Sequence, residues 1–164
     1  MLLNKDEDNF VWNRIYSEFH FNPSINKSVL PFELNCNYQI YDISKLTEKN
    51  IDDMDDIITN ILIKCTEETE TVYALDWQHS SFKFNPRNKE EQKSIYVKDD
   101  KYFGGGYNAY FPSYYPDGDY YFFIASDFSF GYLGHPWQNK VWIFGEKLIY
   151  EFNKVAYQIG FEQL

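Results

Sequence analysis

The stretch Tyr120-Tyr121-Phe122-Phe123-Ile124-Ala125 decides the fold. Its aromatic and β-branched residues favour a β-strand, but the apolar and polar alternation of a half-buried strand is poor. We therefore expect strand residues here to be buried on both faces, under helices on one side and under loops or a partner on the other. The turn sequence Pro116-Asp117-Gly118-Asp119 precedes the stretch, and Val141 to Phe144 predicts a further strand.

Around this strand lies an aromatic and glycine-rich segment from Tyr102 to Gly145. It holds 17 of the 34 aromatic residues, and all eight glycines of the chain lie at or after Gly104. Glycine allows positive φ and close backbone approach, so Gly131 and Gly134 are expected to bracket a tight connection. The triplet at 104–106 lacks the Lys-Ser/Thr ending of a phosphate-binding loop, so no nucleotide site is predicted.

Three helices are predicted from apolar residues at helical spacing. The first runs from Asp6 to Phe19, with acidic residues at its N-terminus. The second follows Asn50, taken as its cap, and reaches Cys65 on one apolar face. The third runs from Glu146 to Ile159.

The other predicted elements are extended. Tyr38 to Ile43 predicts a short strand, and Val72 to Trp77 with Ser81 to Phe84 predicts a hairpin. Because no regular βαβ alternation is present, the pattern favours an α+β fold in which N-terminal and C-terminal helices flank an antiparallel sheet. The length fits one domain, residues 1–164.

The charge argues against several classes of partner. The net charge is −10 and the pI about 4.7, and residues 1–82 carry −9 of that charge. No basic patch is visible, so neither nucleic-acid binding nor membrane-surface binding is predicted. No run of roughly 18 apolar residues and no signal peptide is found, so a cytoplasmic location is expected. Cys36 and Cys65 lack close pairing and are interpreted as reduced thiols.

The second helix concentrates the negative charge. Four carboxylates occupy its first turns, and they form the candidate acidic binding face: Asp52, Asp53, Asp55 and Asp56. Such a face could be a solvated helix surface supported by the helix dipole. It could equally steer a basic protein partner.

Two turns of the aromatic segment carry the candidate functional residues. Asp117 and Asp119 flank a glycine, and His135 and Trp137 lie in Gly134-His135-Pro136-Trp137. Paired carboxylates could bind a cation or divide acid and base roles, but a turn carboxylate and a hydrogen-bonded histidine are the simpler structural interpretations. No metal-binding spacing links the histidines, so neither a metal nor a cofactor is predicted, and no catalytic set is assigned.

Exposed tyrosines could form a platform for sugar rings. The candidates are Tyr107, Tyr110, Tyr114 and Tyr115. Burial of these rings in the core is the structural alternative.

Three blocks carry a family resemblance: Tyr115 to Phe122, Phe130 to Trp137, and Ile143 to Glu146, with Ala74 to His79 and Phe84 to Pro86 as a middle block. They resemble the signature of an uncharacterised bacterial family, domain of unknown function 2716, over nearly the whole chain. The resemblance implies a bacterial source and no established activity. Size, acidity and a Trp-x-Phe-Gly-like ending are also similar to cell-wall-regulator-type immunity domains, although the N-terminal pattern of those domains has no clear match here.

These observations favour a non-catalytic protein-binding domain of the immunity or antitoxin type, because the chain is small, acidic and without a coherent catalytic set. The alternative is a small enzyme with a site around Asp117, Asp119 and His135. A carbohydrate-binding module built on the tyrosines is a third hypothesis.

Overall fold

The computed structural model describes residues 1–164, with three helices and nine strands. The helices are α1 (Lys5–Glu18), α2 (Glu48–Cys65) and α3 (Glu146–Asn153). The strands are β1 (Tyr38–Asp42), β2 (Val72–Asp76), β3 (Phe82–Phe84), β4 (Ile95–Lys98), β5 (Gly106–Ala109), β6 (Tyr121–Ala125), β7 (Gly131–His135), β8 (Lys140–Phe144) and β9 (Glu162–Gln163). A 3₁₀ turn at Lys89–Glu91 lies in the polar loop after β3.

Seven of the strands form one sheet in the order β3-β2-β6-β7-β8-β1-β9, and every neighbouring pair is antiparallel. The α+β fold class is therefore confirmed, as is the hairpin of β2 and β3. Strands β4 and β5 pair only with each other and form a separate hairpin. Neither strand of this hairpin was predicted, because only one of their residues is buried and they lack a clean alternation.

Both faces of the central strands are buried, as the stretch at 120–125 predicts. Phe123 belongs to an apolar cluster with α2 and α3, whereas Phe122 and Ile124 belong to a second cluster with α1. Helices therefore contribute to both faces, and the expected loop cover is present on the α1 face, where Phe21 and Phe32 of the segment after α1 pack against Phe122. Successive residues of a strand point to opposite faces, so an unbroken apolar run fits a sheet that is covered twice.

The prediction for Gly131 and Gly134 is wrong, because both lie inside β7 and the turn follows at residues 136–139. These glycines permit close packing rather than a turn. A Cβ on Gly131 would lie 2.4 Å from the ring of Phe144, and one on Gly134 would lie 3.0 Å from Pro116. Close approach within a strand is one of the two uses of glycine that sequence cannot separate.

Two helix boundaries also differ from prediction. The cap of α2 is Thr47, not Asn50: Thr47 Oγ1 accepts from the Asn50 N–H, and Asn50 Oδ1 accepts from the Thr47 N–H, at 3.2 and 3.0 Å. Such a capping box satisfies two free donors at once and starts the helix one turn earlier. Helix α3 ends at Asn153, and the following turns still bury Ile159. None of the three helices combines the length and apolarity needed to cross a lipid bilayer.

The long segment between α1 and β1 is tied to the sheet through Tyr120 and His135. The Tyr120 hydroxyl accepts from the Ser24 N–H at 2.9 Å and donates to the Ser24 carbonyl at 3.0 Å. Its contact with His135 Nε2, at 3.2 Å, is therefore one in which the histidine donates. The Gln138 N–H donates to Nδ1 at 3.3 Å, so both ring nitrogens of a neutral imidazole are used.

His135 is 1% exposed, and burial lowers its pKa to about 4, with a further contribution from the charge of Lys140. Between about pH 6.5 and pH 4, His135 binds a proton in the unfolded chain but stays neutral in the folded chain. The free energy of unfolding therefore falls as the pH drops from about 6.5 toward 4. We expect the free energy of unfolding to fall by about 2 kcal/mol between pH 7 and pH 5 from this residue. Urea denaturation of the wild type and of His135→Gln at both pH values measures it. Equal losses in the two proteins would contradict the prediction, and an NMR titration of the wild-type ring tests the pKa directly.

Candidate functional site

Two buried aspartates meet where β2 ends and β6 begins. The two strands are antiparallel neighbours, and Asp76 pairs with Tyr121 in their register. The end of β2 therefore lies beside the residues that lead into β6, among them Asp119. Asp76 is 5% exposed and Asp119 is 4% exposed. The fold thus brings together two carboxylates that are 43 positions apart in the sequence.

His79 lies over the two carboxylates on the turn between β2 and β3. The turn is held by the His79 N–H, which donates to the Asp76 carbonyl at 3.4 Å, and by the Gln78 N–H, which donates to Asp76 Oδ1 at 3.3 Å. His79 Nδ1 lies 2.9 Å from Asp76 Oδ1 and 3.6 Å from Asp119 Oδ2. The imidazole side chain is 67% exposed, and its Nε2 makes no hydrogen bond with the protein.

The carboxylates shift the pKa values of their neighbours. The hydrogen bond to Asp76 raises the pKa of His79, because it stabilises the charged imidazolium. Burial raises the pKa of Asp119 above its ordinary value, and the charge of Asp76 adds to this. Burial also raises the pKa of Tyr121 to about 12, with further contributions from both carboxylates. The site is therefore a region of negative potential in which no Lys or Arg forms an ion pair with either aspartate.

A cleft of about 610 Å³ opens beside this cluster. Asp76 and His79 contribute to its wall, and the exposed β4–β5 hairpin lies across from them. Four tyrosines from three parts of the chain complete the lining: Tyr102, Tyr107, Tyr110 and Tyr121. We call this space the tyrosine cleft. An aromatic cleft with a few converging polar groups is the usual form of a small-molecule site.

His79 also lines a smaller cavity of about 280 Å³ on the side of α1. Asp8 and Ser81 contribute to that cavity, and the buried atoms Asp8 Oδ1 and Ser81 Oγ have no hydrogen-bond partner. Burial raises the pKa of Asp8. Buried polar atoms are normally satisfied, so this pair is a second unusual polar feature next to His79.

A further cavity, of about 550 Å³, lies at the C-terminal end of α1 and contains the exposed thiol of Cys36. Its other ionisable side chains are Glu18 and Glu146, and Glu18 is paired with Arg14 at 2.6 Å. No histidine or second thiol lies there, so the cavity lacks a set of groups that could divide catalytic roles. Cys36 and Cys65 are unpaired, and Cys65 is buried on α2 as predicted.

The four residues of the predicted functional turns do not form one site. Asp117 is exposed, and its carbonyl accepts from the Tyr121 hydroxyl at 3.2 Å. Asp119 faces His79, whereas His135 is bound to Tyr120 in the core. Trp137 is partly buried, with its ring 5.2 Å from that of Tyr120.

Asp119 and His135 belong to different surroundings. Asp119 lies in the bend that precedes β6, where its carboxylate is 3.6 Å from His79 Nδ1. Tyr120 packs in the cluster under α1, and its hydroxyl is hydrogen-bonded to His135 there. Asp119 Oδ1 accepts from the Tyr120 N–H at 2.7 Å, and its other oxygen is directed at His79.

The predicted tyrosine platform is divided in the same way. Tyr107 and Tyr110 line the tyrosine cleft, but Tyr114 is buried and its hydroxyl lies 3.1 Å from Thr59 Oγ1. Tyr115 is partly buried. The four aspartates of the predicted acidic face are all exposed on α2: Asp52, Asp53, Asp55 and Asp56.

Asp76 and His79 are the site residues that sequence reasoning missed. A signal was present, since an aspartate ends a wholly buried strand and a histidine follows three positions later in a polar turn. The spacing of the three histidines does not indicate the site, because the partner of this pair is a carboxylate from the bend that leads into β6.

Comparison with known proteins supports one assignment. The family model described as "Protein of unknown function (DUF2716)" matches residues 2–149. The Uncharacterized protein YxiI of Bacillus subtilis (strain 168) is 33% identical over 121 residues, which cover 68% of this chain and 67% of that protein. No solved structure matches the chain. Residues 74–79 and 115–122, which hold Asp76, His79 and Asp119, lie within the matched range, and the chain belongs to the DUF2716 family.

Proposed function

We propose that this protein binds a small polar molecule in the tyrosine cleft and acts on it through Asp76, His79 and Asp119. The observation that supports the proposal is the convergence of two buried carboxylates on one exposed imidazole beside the cleft. One nitrogen of His79 is held by Asp76, and Nε2 remains available to a bound molecule. A carboxylate that orients an imidazole in this way is a common arrangement for acid–base and ligand-binding histidines.

A purely structural role explains the cluster poorly. Two carboxylates removed from water repel each other and lose hydration, and the nearest basic group, His79, is itself largely exposed. An amide or apolar side chain in place of one carboxylate would avoid this cost. Groups that cost stability are typical of functional sites, where activity opposes the most stable packing.

The tyrosines favour a polar ligand with a flat or ring-shaped face. Tyr102 and Tyr107 have ring centroids 5.1 Å apart, and Tyr110 is 65% exposed. Tyrosine rings stack on such faces with little loss of side-chain entropy, and their hydroxyls add hydrogen bonds. Carbohydrates therefore remain one candidate ligand class for this cleft, with Tyr107 and Tyr110 as the stacking rings.

Replacing Asp119 by asparagine is expected to stabilise the protein. The amide keeps an acceptor for the Tyr120 N–H but removes one of two adjacent buried charges. We expect the free energy of unfolding to rise by about 1 kcal/mol at pH 8, measured by urea denaturation in the presence of a chelator. Asp117→Asn, an exposed change in the same turn, is the matched control and should have no effect. A loss of stability in Asp119→Asn would show that the carboxylate serves the fold.

Ligand binding in the tyrosine cleft can be measured with a library of small polar fragments that includes monosaccharides. Saturation-transfer NMR on the wild type identifies binders, and His79→Ala and Tyr107→Ala are expected to weaken them at least tenfold, because both side chains line the cleft. Tyr150→Ala removes an exposed tyrosine on α3 outside the cleft and should leave binding unchanged. Fragments that bind all four proteins equally would refute the cleft as the site.

The acidic face of α2 supports a second candidate function, binding of a basic protein partner of the immunity type. All four aspartates are exposed, and only two form ion pairs: Asp53 with Lys49 at 2.8 Å and Asp56 with Lys89 at 3.8 Å. Most of the chain's net charge lies in its first half, which includes α2. An uncompensated charged face of this kind steers an oppositely charged protein.

This candidate predicts a salt-dependent association with a toxin-like protein encoded by an adjacent gene. Replacing the four aspartates by asparagine should lower the association rate constant about tenfold at low salt and flatten its dependence on ionic strength, because steering is lost. Stopped-flow mixing measures both. Asp99→Asn with Asp100→Asn, two acidic residues before the tip of the β4–β5 hairpin, is the control. An unchanged rate constant in the fourfold variant, or no complex with any neighbour-encoded protein, would end this hypothesis.

A further inference from the structure

We infer that Asp76, His79 and Asp119 form a binding site for a divalent first-row transition-metal ion. The inference names a cofactor for the cluster beside the tyrosine cleft, and it rests on the proposed function in that respect. Metal binding itself can be measured without knowing the ligand of the cleft. The two statements can therefore fail separately.

The three side chains present their ligand atoms at distances close to those of a coordination sphere. All three ligand atoms lie within 4.8 Å of one another, and Nδ1 is 2.9 and 3.6 Å from the nearest oxygen of Asp76 and Asp119. Bond lengths of about 2.0–2.2 Å to nitrogen and oxygen place neighbouring ligand atoms about 3.0–3.5 Å apart. Side-chain rotations that move the ligand atoms by about 1 Å would bring all three separations into this range.

Free acceptor capacity in the buried part of the cluster gives an independent reason for a cation. Asp119 uses Oδ1 to accept from the Tyr120 N–H, but no protein N–H or O–H donates to its Oδ2. The same is true of Asp76 Oδ2, since Oδ1 takes the bonds from Gln78 and His79. Both carboxylate side chains are more than nine-tenths buried, and no backbone N–H, Lys or Arg is bonded to the Oδ2 atom of either.

The charge of the site is also unbalanced. No Lys or Arg lies within ion-pair distance of either carboxylate, and a third, partly buried carboxylate, Asp8, lines the adjoining cavity at His79. Buried charges are normally paired or coordinate a metal. A divalent ion would neutralise the two aspartates and take the position on Nδ1 that the hydrogen bond to Asp76 now occupies.

The ligand set favours a transition metal over Mg²⁺ or Ca²⁺. Imidazole suits zinc and its first-row neighbours, whereas carboxylates alone suit the harder ions. Three protein ligands leave at least one coordination position for water or substrate, which is the pattern of reactive rather than structural sites. Zn²⁺ and Mn²⁺ are the two appropriate probes, since one prefers nitrogen donors and the other accepts oxygen donors readily.

The test is isothermal titration calorimetry of chelator-treated, full-length protein with Zn²⁺ and with Mn²⁺. We expect one equivalent to bind, with affinity at least tenfold lower in His79→Ala, Asp76→Asn and Asp119→Asn. His79 is exposed on a turn, so His79→Ala tests the site even if an aspartate variant fails to fold. Asp117→Asn and Asp53→Asn are matched acidic controls outside the cluster and should bind as the wild type does.

Broadening of NMR signals by Mn²⁺ gives a second readout. It should be centred on residues 76–79 and 119–121 and should be absent from α2. Several weak equivalents that persist in His79→Ala, or no saturable binding of either ion, would overturn the inference. If metal binding fails while fragments still bind the tyrosine cleft through His79 and Tyr107, only the metal assignment falls. If metal binds but no fragment does, the proposed action on a small molecule falls instead.

Discussion

The structure depends on burying both faces of the strands at the centre of one antiparallel sheet. Antiparallel sheets can leave one face in water, but here α1 covers one face and α2 with α3 covers the other. Every interior position of β6 must then be apolar, and the run from Tyr120 to Ala125 meets this demand. In the central strands, polar side chains can therefore occupy only the strand ends. Asp76 ends β2, and Asp119 lies two residues before the start of the neighbouring strand β6, at the same edge of the core.

This constraint also explains how buried carboxylates can persist there. The backbone of Asp76 is fixed by sheet pairing as the last residue of β2, and Asp119 precedes Tyr120, whose carbonyl accepts from the Trp77 N–H at 3.2 Å. The rigid apolar sheet supplies stability, and part of it can be lost at the edge without unfolding the chain. A residue at a strand end, such as Asp76, is also more accurately positioned than one on a free loop. The long hairpin of β4 and β5 then has only to enclose the cleft.

The sequence predicts what depends on local patterns and misses what depends on pairing between distant strands. The apolar spacing of α1 and α2 and the aromatic run of β6 were sufficient for the fold class. The roles of Gly131 and Gly134 could not be predicted, because a glycine under the Phe144 ring and a glycine in a turn look alike in one sequence. Predicting the cluster of His79 with the two aspartates requires the strand register that sets Asp76 opposite Tyr121. Only that register brings His79 close to Asp119.

The two histidines on either side of Asp119 and Tyr120 show how strongly the sheet decides chemistry. His135 and His79 each contact one of these adjacent residues, but Tyr120 packs in the cluster under α1, whereas Asp119 lies in the bend at the edge of the sheet. On the α1 face, burial and the charge of Lys140 lower the pKa of His135 to about 4 and keep the ring neutral. At the edge, Asp76 raises the pKa of His79 and leaves Nε2 accessible. Residue type alone therefore identifies neither histidine as functional, and the face of the sheet on which its partner lies determines which of them can meet a ligand.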